Sequence, residues 1–69
     1  MPESVYKFVE FVGTSKESCE DAVKNAVSTA SKKYSDLRVG EVIKLDMTIE
    51  GGRIATYRAR VNLSFRYHL

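Results

Sequence analysis

The chain has 69 residues with 11 basic and 9 acidic side chains, a net charge of +2, one cysteine and no tryptophan. That length predicts a single small domain over residues 1–69, and chains of this size bury a modest core unless disulfides, metals or partner chains assist. Cys19 alone excludes an intrachain disulfide, and His68 is the penultimate residue, where chains fray, so neither staple is expected and oligomerisation is the remaining aid. The small charge, without blocks of one sign, speaks against a nucleic-acid partner. No stretch is long and apolar enough to span a bilayer, and MPESVYKF lacks the basic-then-apolar pattern of a signal peptide. No membrane association and a cytoplasmic location are therefore expected.

The first apolar run, Val5 to Val12, is rich in β-branched and aromatic residues and predicts a strand that stops at Gly13. Ser18 followed by Asp21 resembles a capping box, and Glu20 and Asp21 fall in a first turn, where the helix dipole favours anions. Cys19, Ala22, Val23, Ala26, Val27 and Ala30 then recur at steps of three and four. This is an amphipathic helix with a narrow stripe of small residues, ending near Tyr34.

Leu37 to Ile49 alternates, with Leu37, Val39, Ile43, Leu45, Met47 and Ile49 on one parity. Glu41 and Val42 break the pattern, which suggests a bulge or a change of environment there. EGGR (Glu50 to Arg53) predicts a hairpin turn. The last stretch, TYRARVNLSFRY, places Tyr57, Ala59, Val61, Leu63, Phe65 and Tyr67 on one face and Arg58, Arg60 and Arg66 on the other. The order is β-α-β-β. Two strands of about twelve residues reach roughly 40 Å, whereas a helix of about sixteen residues covers roughly 24 Å. One helix cannot cover that hairpin, and other copies of the chain are the plainest cover.

Catalytic chemistry is not visible, so no enzyme is expected: no histidine, cysteine or serine stands in a nucleophile arrangement. Thr14, Ser15 and Ser18 fit the start of the helix, and Cys19 fits a structural role. Gly13-Thr14-Ser15 lacks the further glycines and lysine of a phosphate loop. Gly51-Gly52 is not a GXXG clamp, and the strands lack the aromatic pattern of an RNA-recognition motif. Tyr57 and Phe65 share a parity with aliphatic residues and read as core or interface. Glu10, Glu41, Asp46 and Glu50 have two readings. They converge on a hard cation through oxygen ligands, or they pair with Arg38, Lys44, Arg58 or Arg60 across strands. The second is preferred.

As a set, VYK at Val5 to Lys7, VGTS at Val12 to Ser15 and S-x-E-D-A at Ser18 to Ala22 resemble the dodecin family. LR-x-x-EV at Leu37 to Val42 and Y-x-x-x-V-x-L-x-F-R at Tyr57 to Arg66 complete the likeness, which covers nearly the whole chain. The resemblance implies an α+β fold, a βαββ subunit whose three-stranded antiparallel sheet wraps around one helix. It also implies assembly into a hollow homododecamer that binds and stores flavin, riboflavin or FMN. In the family pattern a tryptophan stacks on the flavin and a glutamine reads its polar edge. Those positions are Val39 and Arg58 here, and Gly40 replaces the usual aromatic that follows. Stacking is worth about 0.5–1.5 kcal/mol per aromatic pair beyond area burial, so the family's mode of flavin binding does not carry over to Val39 and Arg58. The chain also resembles a tryptophan-lacking, calcium-linked branch, through LRV at Leu37 to Val39 and Asp46-Met47. Calcium is then the alternative ligand, with Asp46 and Glu50 as its candidate residues; a purely structural shell is the other alternative.

Overall fold

The computed structural model describes residues 5–67, so the expectation for His68 lies outside them. The elements are β1 (Tyr6–Ser15), α1 (Cys19–Lys33), β2 (Leu37–Glu50) and β3 (Arg53–Arg66). The sheet order is β1-β3-β2, antiparallel throughout, so the last strand is central.

β1 does not stop at Gly13. It runs on to Ser15, pairing Gly13 with Ala59 and Ser15 with Tyr57. The glycine serves a close approach rather than a break. A Cβ there would collide with the Ala22 carbonyl and come within 2.9 Å of the Ala26 Cβ. The helix therefore lies almost on the strand, with Ala22, Ala26 and Ala30 buried against Ala59, Val61 and Leu63. Small residues on both sides set this spacing.

Ser18 is the helix N-cap, its hydroxyl accepting from the Asp21 amide at 3.0 Å. The reciprocal half of the expected box is replaced. Aspartate is one methylene shorter than the glutamate of a full box, and the Asp21 carboxylate accepts from the Ser15 hydroxyl at 2.7 Å. Ser15 Oγ in turn accepts from the Glu17 amide at 2.9 Å. Tyr34 ends the helix as expected, its amide donating to the Ala30 carbonyl at 2.8 Å. Its ring meets Phe11 edge-on at 6.4 Å and stacks on Phe65 at 5.0 Å, which closes that end of the core.

The predicted irregularity in β2 is a register shift between Val42 and Lys44, and a second shift lies between Leu37 and Val39. These shifts correct the simple alternation. Leu37 aligns with Phe65, on the helix side, whereas Val39 aligns with Ser64, on the side away from the helix. A one-residue bulge inverts the parity of everything beyond it. The hairpin turn is as read: Gly51 and Gly52 have φ of 59° and 77°, the left-handed pair of a two-residue type I′ loop.

The subunit measures 56 × 20 × 14 Å, with a radius of gyration of 14.4 Å. A compact chain of this length has about 11 Å. The excess is the hairpin, which extends beyond the helix. Val39, Val42, Ile43, Leu45, Met47 and Ile49 are all exposed along β2.

Candidate binding face

Ala59, Val61 and Leu63 turn towards the helix, so the alternate residues of β3 face away from it. Cross-strand register then arranges that outer face in rows. Arg58 lies between Thr14 and Asp46, Arg60 between Val12 and Lys44, Asn62 between Glu10 and Glu41, and Ser64 between Phe8 and Val39. Successive rows are roughly 6.6 Å apart at two residues of strand rise.

The first row holds the strongest electrostatic contact of the face. Arg58 grips Asp46 with two nitrogens, Nε to Oδ1 at 2.7 Å and a terminal nitrogen to Oδ2 at 3.2 Å. This is the fork geometry in which arginine binds carboxylate best. The hydrogen bond from Arg58 holds the Asp46 carboxyl below its usual value of 3.8; partial desolvation opposes this, and the charges of Arg58, Lys44 and Arg60 add to it. The guanidinium is raised in return, chiefly by the same hydrogen bond. Cross-strand pairing of these carboxylates with arginine, the preferred sequence reading, is what Asp46 does.

Lys44 and Arg60 stand directly opposite one another in the second row, where like charges destabilise a strand pair. Among the described residues neither makes an ion pair. This juxtaposition is invisible to simple alternation, because the bulge between Val42 and Lys44 sets it. Arg66, on the same parity of β3, has its Nε buried without a hydrogen-bond partner.

Val39 is 62% exposed and borders a shallow cavity of about 160 Å³ with Val27, Leu37, Arg38, Gly40 and Leu63. That volume is below the range of roughly 300–1,000 Å³ in which organic ligands of drug size are held. Val39 and Arg58 are not brought together in one chain. Their partners on β3, Ser64 and Arg58 itself, are six residues apart, roughly 20 Å of strand. Asp46 and Glu50 are likewise separated along β2, by four residues or roughly 13 Å. No cluster of three or more histidine, cysteine, aspartate or glutamate side chains occurs among the described residues. Among the described residues, one chain by itself thus brings together neither Val39 with Arg58 nor Asp46 with Glu50. Cys19 is free and half-buried in the first helical turn, and no helix among the described residues is long and apolar enough to cross a membrane.

Comparison with known proteins gives the class. The family model for dodecin matches residues 5–68. The calcium dodecin of Mycobacterium tuberculosis is 40% identical over 63 residues, covering 91% of this chain and 89% of that protein. The dodecin of Thermus thermophilus is 37% identical over 62 residues, covering 90% of each. Among solved structures, the dodecin of Streptomyces coelicolor superposes with a TM-score of 0.94 at 35% identity, over 100% of this chain and 99% of that one. The crystal structure of the M. tuberculosis calcium dodecin, described as a calcium-chelating antigen with a novel calcium-binding site, gives 0.82 at 41% identity, over 94% and 93%. The chain belongs to the dodecin family, and its β-α-β-β subunit with one helix and a three-stranded antiparallel sheet is the dodecin fold.

Proposed function

We propose that this chain is the subunit of a hollow homododecameric shell that binds and stores a small ligand, with no catalytic role, and that it does not hold flavin by stacking. The observation that carries the ligand reading is the pair of positions Val39 and Arg58. An exposed aliphatic side chain stands where the family resemblance puts the stacking tryptophan, and Arg58 is already held by Asp46. Titrating riboflavin or FMN and following flavin fluorescence tests it. The expected result is no stoichiometric quenching by the wild type and a gain of quenching in Val39→Trp. Stoichiometric quenching by the wild type would overturn the reading.

Calcium is the second reading, supported by the similarity to the M. tuberculosis calcium dodecin. Asp46 and Glu50 are its proposed oxygen ligands. Their separation in one chain means that such a site draws on more than one copy, and Asp46 must release Arg58 to join it. Calcium added to protein labelled for carbon NMR is then expected to shift the Asp46 carboxyl resonance with a saturable profile. An unmoved resonance at millimolar calcium would remove Asp46 from the site.

A further inference from the structure

On the outer sheet face, Arg58 and Asp46 stand opposite each other, and Arg60 and Lys44 stand opposite each other in the next row. The two rows make a four-cornered patch, about 5 Å across the strands and roughly 6.6 Å along them. Cations hold three corners and the Asp46 carboxylate holds the fourth. A guanidinium fork such as that of Arg58 suits the phosphate or carboxylate of a ligand, but here Asp46 fills it, at 2.7 Å and 3.2 Å. Lys44 and Arg60 make no ion pair among the described residues. They are bracketed by carboxylates all the same, with Asp46 on one side and Glu10 and Glu41 on the other. An anion that reaches these rows meets as many like charges as opposite ones.

We infer that Asp46 sets the charge class of the ligand: by filling the Arg58 fork it keeps phosphate and carboxylate groups off this corner of the face and leaves it to a ligand that is uncharged there. This rests on the proposed small-ligand reading and names the chemistry that its Arg58 position accepts. Exclusion prevails over displacement for two reasons. The Asp46 carboxylate is tethered directly opposite Arg58, so it competes without the translational cost that a free anion bears. Once displaced, it would still stand beside the incoming anion, and like charges at that spacing repel. The rest of the patch reinforces the hold. The Arg58 hydrogen bond first, and then the charges of Arg58, Lys44 and Arg60, keep the Asp46 carboxyl ionised against partial desolvation. Asp46 is thus a positioning residue, acting on the ligand through Arg58. Neutralising it leaves three cations at adjacent corners with the fork open, an arrangement suited to phosphate.

The test uses two probes that differ by one phosphate. In the Val39→Trp background, riboflavin and FMN are titrated by fluorescence quenching with and without Asp46→Asn. That change is expected to raise the affinity for FMN relative to riboflavin at least about tenfold, a factor read directly from the dissociation constants. The gain should shrink with added salt. A second arm uses inorganic phosphate alone and needs no flavin. At millimolar phosphate the Arg58 Nε–H resonance is expected to stay in place in the wild type and to move saturably in Asp46→Asn and Asp46→Ser. It should stay in place again in Asp46→Glu, which keeps the charge; a merely structural role would not sort the variants by charge. A wild-type resonance that follows phosphate saturably would overturn the inference. So would neutral variants with no phosphate response, or with no gain of FMN over riboflavin where the flavins bind. Failure of Val39→Trp to bind either flavin would instead overturn the ligand reading of Val39 and Arg58, and the phosphate arm would still decide the role of Asp46.

Discussion

Arg58 and Asp46 show what one residue pair can decide. A carboxylate held by a bidentate guanidinium resists protonation, and here the Arg58 hydrogen bond lowers the Asp46 carboxyl from its usual 3.8. A lowered folded-state value means the pair's contribution to stability is fully present above the ordinary carboxylate range. It is lost as pH falls through the lower folded value. Carbon NMR of the Asp46 carboxyl should therefore give a titration midpoint below 3.8, and Arg58→Ala should return it towards the ordinary range. A wild-type midpoint at or above the ordinary value would show that the pair does not persist in solution. The need for cross-strand partners was legible in the alternation of Lys44, Asp46, Arg58 and Arg60. The choice of Arg58 for Asp46 was not, because it depends on a register set by bulges. The same register removed Val39 from the apolar parity in which simple alternation had put it.

At the scale of elements, the helix stripe and the hairpin turn were plain in the sequence because each has a strong local signal. The extent of β1 was not. Gly13 resembles a strand breaker when only its neighbours in sequence are considered, yet its lack of a Cβ is what lets the helix lie against the strand, since Ala22 and Ala26 occupy the room a side chain would take. Gly13→Ala must push the helix off the strand. Overpacking of a well-filled site costs about 1–3 kcal/mol, so the denaturation midpoint should fall correspondingly at unchanged m-value. A midpoint equal to wild type would mean the helix is not seated as described. Tyr34 was read only as the end of the helix, and its position between Phe11 and Phe65 depends on contacts that sequence spacing does not reveal.

For the whole molecule, the mismatch between a 15-residue helix and two 14-residue strands was legible from element lengths alone, and it leaves part of the hairpin without a helix over it. An exposed apolar strand edge is a template for association, and large contiguous apolar surface on a soluble chain marks an interaction site. Six large hydrophobic residues of β2 are exposed in the isolated subunit. Cover by other copies, as in the proposed shell, would account both for them and for the elongated shape. The ligand was less legible, since the candidate positions Val39 and Arg58 lie far apart within one chain.

The most direct test is the mass of the purified chain in solution by size-exclusion chromatography with light scattering. Twelve copies of the 7.8 kDa chain give about 94 kDa, the value expected at micromolar concentration. A stable species at the mass of one chain would contradict the account.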